Sequence, residues 1–230
     1  VGRNLFHLFK KYKYMITIIH DTPSIAGNYL AELRDVTVQQ NKVLFRRNIQ
    51  RLGVFMAHEL SKHLSFEIKK IQTPLGIADC TMVNTPIVLG TILRAGLPMH
   101  QGFLDVFDEA ENAFLTAFRK HHGSGKFDIE MEYVSCPDLT DKCLILIDPM
   151  LATGASIIKA VEYLAKYGQP SSIHIVSAIA SKEGLNQVHK KLPQAHIWIG
   201  DVDEELTAKS YIVPGLGDAG DLSFGEKCQD

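Results

Sequence analysis

The sequence predicts an α/β fold: a central, mostly parallel sheet flanked by helices. Three observations predict it. Apolar runs recur along the chain, PIVLGTIL at Pro86–Leu93, CLILI at Cys143–Ile147 and SIHIVSAIA at Ser172–Ala180. Near-continuous runs of this kind suit strands buried on both faces. Segments of helical period follow the second and third runs, and that spacing gives parallel strands joined by right-handed crossovers. Finally, 230 residues with 46% hydrophobic and 22% charged residues are enough for one sizeable core.

Residues 1–14, VGRNLFHLFKKYKY, are basic, aromatic and apolar. They lack the apolar centre of a secretory signal. Their charges gather partly on one helical side, as in a membrane-surface segment. Met15 starts a new pattern, MITIIH, so an upstream extension ahead of a natural start fits equally. Residues 1–14 are expected to be poorly ordered, with a single domain over residues 15–230. Ile16–Ile19 is a short strand or an extended arm, broken by Pro23 and Gly27. Asn28–Arg34 reads as a helical turn and Asp35–Gln40 as polar, β-leaning chain.

Lys42–Leu64 is the longest periodic segment. Leu44, Ile49, Leu52, Phe55, Met56, Leu60 and Leu64 mark the apolar stripe of an amphipathic helix. Arg46, Arg47 and Arg51 lie elsewhere on it, as solvated or paired charges or, alternatively, as an effector phosphate site. Phe66–Ile71 alternates, and Pro74 and Gly76 turn the chain. Pro86–Leu93 is an internal strand ending in Arg94, Ala95 and Gly96, where open α/β sheets place ligands. Leu97–Phe107 reads as a helix with Met99, Phe103 and Phe107 inside, and Asn112–Phe118 as the next strand.

Arg119–Asp128, RKHHGSGKFD, reads as a polar loop able to serve as a mobile cover, with Phe127–Tyr133 as a hairpin arm. His121 and His122 have no obvious third ligand, so solvent or phosphate suits them better than a metal. After the central strand come a helix from Ile157 to Gly168, a strand at Ser172–Ala180, a helix at Lys182–Lys190 and a strand at His196–Ile199. Leu206–Lys209 leads to Tyr211–Val213 and the glycine-rich acidic loop PGLGDAGD.

The stretch Cys143–Ser156, CLILIDPMLATGAS, organises the chain. A buried strand ends at Asp148 and Pro149. Small residues follow, then a helix. Amide N–H groups in a tight turn and at a helix start converge on an anion, and the hydroxyls of Thr153 and Ser156 add donors. A carboxylate at the strand end suits sugar hydroxyls better than phosphate. The pattern therefore fits a phosphorylated sugar, with its phosphate on the turn and its diol on Asp148. A plain βα connection with a helix cap fits the same residues.

The formal net charge of -2 gives no global basic character for nucleic-acid binding. Cys80, Cys136, Cys143 and Cys228 are widely spaced without a CxxC pair. They read as free thiols in a reducing, cytoplasmic compartment. No apolar stretch approaches the roughly 20 residues that span a bilayer.

DPMLATG at Asp148–Gly154 resembles the ribose-phosphate loop of uracil phosphoribosyltransferases. ILRAGLPM at Ile92–Met99, YIVPGLGDAGD at Tyr211–Asp221 and the helix Phe45–Leu64 resemble that family in the same order. The resemblance runs from roughly Leu33 to Phe224 and is weaker around Val36–Lys42 and across Phe118–Asp138. It implies a Rossmann-like phosphoribosyltransferase fold, with a small hood built from the N- and C-terminal segments and a β-arm.

The activity implied is transfer of the phosphoribosyl group from phosphoribosyl pyrophosphate to uracil, giving UMP and pyrophosphate. In that picture Asp148 holds the ribose hydroxyls, and Ala152, Thr153, Gly154, Ala155 and Ser156 cradle the 5-phosphate. Arg94 and Arg119 contact pyrophosphate. Main-chain groups of Ile212, Gly217 and Ala219 read uracil beside Tyr211. Asp218 and Asp221 lie near the ribose and the hydration shell of a substrate-bound Mg2+. No structural metal and no covalent enzyme nucleophile are implied, and a homodimer or higher homo-oligomer is expected.

The chain departs from the family pattern in three places. Ala155 stands where the family has a second glycine, and Arg119-Lys120-His121-His122 replaces an arginine-plus-acid loop. The Asp35–Phe45 segment is long, which puts any inherited effector role in question. A non-catalytic nucleotide sensor on the same fold is the alternative reading.

Overall fold

The computed structural model describes residues 15–121 and 127–227, and the side chains of those outside 118–130. The expectations for residues 1–14, His122 and Cys228 therefore fall outside the described residues.

The central sheet is built from β1 (Ile16–Ile18), β4 (Ile87–Leu93), β5 (Glu111–His121), β6 (Phe127–Ser135), β7 (Cys143–Ile147), β8 (Met150–Leu151), β9 (Ser172–Ser181) and β10 (His196–Asp203). Its order is β1-β10-β9-β7-β4-β5-β6, with β8 pairing β9. All pairings are parallel except β5 with β6. Every residue of β7 is buried, as is all of β4 but its last. This is why those strands read as uninterrupted apolar runs rather than as alternation.

Helices α1 (Ala26–Arg34), α2 (Lys42–Ser61) and α3 (Leu97–Leu104) cover one face of the sheet, and α4 (Ala155–Leu164) and α5 (Lys182–Lys191) cover the other. The α2 stripe of Ile49, Leu52, Met56 and Leu60 is buried against this core. Its N-terminus is fixed by Asn41, whose side chain accepts from the N–H groups of Val43 and Leu44, each at 3.1 Å. Trp198, the single tryptophan, is buried beside His174, His196 and His63. Its Nε1–H donates to His174 Nδ1 at 3.0 Å.

Several elements differ from the sequence reading. Asp35–Gln40 is a turn, not β-leaning chain: the Asp35 carboxylate accepts from the N–H groups of Thr37 and Val38 and from the Thr37 hydroxyl, a local alternative to strand pairing. The Asn28–Arg34 turn is a full helix beginning at Ala26. The helix expected over Leu97–Phe107 ends at Leu104, although Phe107 stays buried. The helix from Lys42 ends at Ser61, before Leu64. Of the segment read as a polar loop at Arg119–Asp128, the described residues 119–121 and 127–128 are antiparallel strand, with Arg119 opposite Ile129 and His121 opposite Phe127. Backbone pairing at the border of the sheet makes these strands without an apolar sequence pattern. The strand from His196 runs on to Asp203.

Phe66–Ile71 belongs to β2 (Phe66–Thr73), which pairs antiparallel with β3 (Gly76–Val83) as a separate hairpin. This ribbon leaves Ile68, Leu75 and Ile77 exposed, Leu75 fully.

Candidate active site

β4 and β7 are neighbours, yet the chain proceeds from β4 to β5 on one side and from β7 through β9 to β10 on the other. The crevice between them is thus the switch point of the sheet, where open α/β folds bind ligands beyond the carboxyl ends of the strands. Thr91 lies opposite Ile147, so Asp148 and Arg94 leave adjacent strands at this crevice. On the other side of β4, Leu93 lies opposite Thr116, and Arg119 continues β5 beyond it.

Asp148 is half-buried. Desolvation pushes its carboxyl up to about 7, against the opposing bond from the Met150 N–H, which it accepts at 3.3 Å. A carboxylate so short of donors is ready to accept from hydroxyl groups of a ligand.

The turn after it forms a small pocket of about 70 Å³ lined by Asp148 and Met150–Ile157. Gly154 has φ 76° and immediately precedes α4, whose first turn has no side-chain cap. A Cβ there would meet Val188 Cγ2 at 2.5 Å. Glycine is therefore required both for the left-handed dihedral and for the approach of α5. Ala155 is the first residue of α4, so the methyl that departs from the family pattern sits in an ordinary helical position. Ser181 fixes the turn from behind: its hydroxyl donates to the Ala152 carbonyl at 2.5 Å and accepts from the Gly184 N–H at 2.9 Å. What remains is a small cup at the start of α4, where the Ala155 N–H donates to Thr153 Oγ1 at 3.4 Å and no side chain caps the helix from Gly154, a setting that suits an anion.

Arg94 reaches the C-terminal segment. Its guanidinium donates to Asp221 at 3.0 Å and to the Gly225 carbonyl at 3.2 Å. With the Arg94 side chain 40% exposed, such a pair is worth about 0–1 kcal/mol. That is weak enough for phosphate oxygens to displace it. Asp221 lies in α6 (Ala219–Phe224), which Asp218 caps by accepting from the N–H groups of Gly220 and Asp221 at 2.8 and 3.0 Å. One Asp218 oxygen is thus committed to the helix.

Gly217, Asp218 and Asp221 line a larger cleft of about 540 Å³ with Arg34, Gln39 and Lys42. Ile212 and Ala219 are buried beside it in sequence, and Tyr211 is exposed. The structure thus joins Arg94 to Asp221, gathers Asp148 with Ala152–Ser156, and groups Gly217 with the two aspartates. Tyr211, Ile212 and Ala219 line neither cleft, and the Arg119 side chain lies outside the described ones.

Comparison with known proteins matches residues 19–226 to the family model of uracil phosphoribosyltransferase. The chain belongs to the uracil phosphoribosyltransferase family. It is 49% identical over 205 residues to the uracil phosphoribosyltransferase of Porphyromonas gingivalis, covering 89% of this chain and 95% of the relative. To that of Pyrococcus furiosus it is 37% identical over 209 residues, covering 90% and 88%. Among solved structures it resembles the AQ2163 protein from Aquifex aeolicus, with a TM-score of 0.83 and 31% identity over 94% of this chain and 100% of that one.

The phosphoribosyltransferase fold expected from the sequence is therefore present, with its mostly parallel sheet and flanking helices. One feature of this family member escaped the sequence reading. Arg34 is tied to Asp201, Asp203 and Gly215. No local pattern announces it, because its partners lie far along the chain. Cys80, Cys136 and Cys143 are free thiols, and burial pushes the Cys136 thiol up to about 11. Among the described residues no helix is long and apolar enough to cross a membrane, and no cluster of metal-ligating side chains occurs.

Proposed function

We propose that this chain transfers the phosphoribosyl group of phosphoribosyl pyrophosphate to uracil, forming UMP and pyrophosphate. Membership of the family carries the reading, and the Asp148 turn at the switch point supports it. Asp148 accepts from the ribose hydroxyls. The N–H groups and hydroxyls of Ala152–Ser156 hold the 5-phosphate. Arg94 and Arg119 take the pyrophosphate oxygens, with Arg94 exchanging Asp221 for them. Main-chain groups of Ile212, Gly217 and Ala219 read uracil beside Tyr211, where one mismatched donor on cytosine costs about 1–3 kcal/mol.

The bond from ribose C1 to pyrophosphate breaks with its electron pair leaving on pyrophosphate. Uracil N1 bonds to C1 and its proton is released. Permanent guanidinium charge aimed at the leaving group stabilises the charge that develops there. The carboxylates fit a Mg2+ that arrives on the substrate: one Asp218 oxygen is used by the helix cap and Asp221 is paired with Arg94. That pattern suits an ion keeping most of its water and phosphate ligands. When bound, Mg2+ neutralises pyrophosphate charge.

Folded protein with uracil, phosphoribosyl pyrophosphate and Mg2+ should yield UMP and pyrophosphate, with hypoxanthine and cytosine as poor substitutes. Absence of product above a protein-free control would reject the reading, and ligand binding without turnover would favour a nucleotide sensor.

We also propose a homo-oligomer, most simply a dimer. The apolar stripe of α2 is consumed within the chain, so the β2–β3 hairpin, with Ile68, Leu75 and Ile77 exposed, is the better-supported contact surface. A concentration-independent monomer mass in solution would defeat this. The free thiols support a reducing, cytoplasmic setting.

A further inference from the structure

Arg34, the last residue of α1, makes a forked contact with Asp203. Nη1 donates to Oδ2 and Nη2 to Oδ1, each at 2.8 Å. Nη2 also donates to Asp201 at 2.8 Å, and Nη1 donates to the Gly215 carbonyl at 3.0 Å. Asp203 in turn accepts from the Gly215 N–H at 2.9 Å. Both peptide groups flanking the Gly215 α-carbon are therefore held by one ion pair.

Gly215 is the sharpest point of the loop. Its φ is 59°, and a Cβ there would lie 2.1 Å from the Ile212 carbonyl oxygen. Upstream, Ile212 is anchored in β12 (Ile212–Val213), which pairs with β11 (Glu205–Leu206). Downstream lies Gly217, again with positive φ. The bend at Gly215 thus sets where the main-chain groups of Ile212 and Gly217 stand relative to each other.

Between these anchors Val213, Pro214 and Gly217 are exposed and only Leu216 packs into the core, so packing holds one side chain of the loop and leaves the main-chain bend at Gly215 to the clamp. Helix α1 is already held by buried Ala26, Leu30 and Leu33 and does not need the clamp to stay in place. The Asp203 side chain is only 6% exposed and Arg34 21%. Burial opposes the guanidinium charge, but the bonds to Asp203 and Asp201 outweigh it and hold Arg34 above its ordinary value. Arg34 is therefore permanently charged, and its planar fork on the Asp203 carboxylate is geometrically rigid.

We infer that Arg34 and Asp203 are positioning residues for base recognition: their grip on Gly215 fixes the main-chain donors and acceptors that select the base. This rests on the uracil reading of that loop. Lysine keeps the charge at position 34 but not the fork.

The test compares wild type with R34K, D203N and the control D201N, which takes the charge from the Arg34 contact that lies outside the clamp. Steady-state kinetics are measured with uracil, cytosine and phosphoribosyl pyrophosphate. R34K should raise KM for uracil about tenfold or more, the loss matching a charged hydrogen bond. It should leave KM for phosphoribosyl pyrophosphate within about twofold and lower the uracil-over-cytosine preference in kcat/KM. D201N should match wild type. Amide exchange at Gly215, followed by NMR without substrate, should accelerate in R34K while the amides of β7 do not.

If R34K does not fold, D203N carries the same comparison, since asparagine can still accept from Gly215 N–H. An unchanged KM for uracil, or a rise in both KM values in equal proportion, would overturn the inference. Lack of uracil turnover in wild type would instead refute the function proposed above. The Gly215 amide then still decides whether the clamp holds the loop.

Discussion

The burial of Asp148 has a thermodynamic signature that D148N exposes. Moving its carboxyl from an ordinary 3.8 to about 7 corresponds to at most ~4 kcal/mol of destabilised charge. Because the residue keeps some solvent contact, about 1–3 kcal/mol is the expected size. Between about pH 4 and 7 the unfolded chain has released this proton while the folded chain retains it. Wild-type stability therefore loses this contribution as pH rises through that window, and above 7 the full penalty is present. Asparagine has no charge to desolvate and still accepts from the Met150 N–H. D148N should thus equal wild type in unfolding free energy near pH 4 and exceed it by about 1–3 kcal/mol at pH 8. Its UMP formation should meanwhile fall about ten- to a hundredfold, because a charged acceptor for the ribose hydroxyls is lost. Urea unfolding across that pH range and steady-state rates measure both. Using the difference between the two proteins cancels every other titrating group. A D148N protein no more stable than wild type at pH 8 would refute the desolvation argument, and near-normal turnover would refute the ribose contact.

Other changes have equally definite outcomes. G154A forces an alanine into a left-handed dihedral and against Val188. It should cost about 1–3 kcal/mol in urea unfolding and raise KM for phosphoribosyl pyrophosphate. S181A removes the hydroxyl that both caps α5 and ties down the Ala152 carbonyl. A loss of about 1–2 kcal/mol is expected, with a weaker grip on the 5-phosphate; unaltered KM for phosphoribosyl pyrophosphate would separate the cap from the site. Burial lowers His174 and His196 to about 4, with further lowering by neighbouring imidazoles. Their contribution is present above pH 6.5 and is lost as pH falls toward 4, because the unfolded chain takes up protons first. The urea midpoint of D148N, free of the opposing Asp148 effect, should therefore drop on going from pH 7 to pH 5.

Most of the sheet was legible because burial on both faces leaves no freedom in composition. Every residue of β7 is apolar and buried, and the Asp148 turn follows from what ends that strand. The antiparallel pair around Arg119 was misread because its polar, glycine-containing sequence carries no apolar period, while its pairing comes from the backbone at the border of the sheet. Asp35–Gln40 was misread because its order comes from one side chain bonding its own backbone, which leaves no period. Arg34 was invisible as a site residue for a different reason. Its meaning lies in Asp203 and Gly215, 169 and 181 positions away, and only the finished fold brings them together. Asp148 and Arg94 were easier, since each directly follows a recognisable strand. Their adjacency still depended on strand order, which the run of residues does not encode locally.

Trp198 gives the molecule an optical property. One indole, buried in β10 and ringed by imidazoles, supplies all of the chain's tryptophan emission. In an apolar setting that emission lies to the blue, and unfolding shifts it to the red as water reaches the ring. The Trp198 N–H already rests on His174, and its ring partners His63, His174 and His196 line neither the Asp148 pocket nor the larger cleft. Its colour therefore reports the integrity of the sheet whether or not substrate is present. Protonating the stacked His196 or His174 would place a cationic quencher against the indole, so intensity should fall in acid before the spectrum moves. Brightness and wavelength would then separate a change in charge from a loss of fold within a single titration.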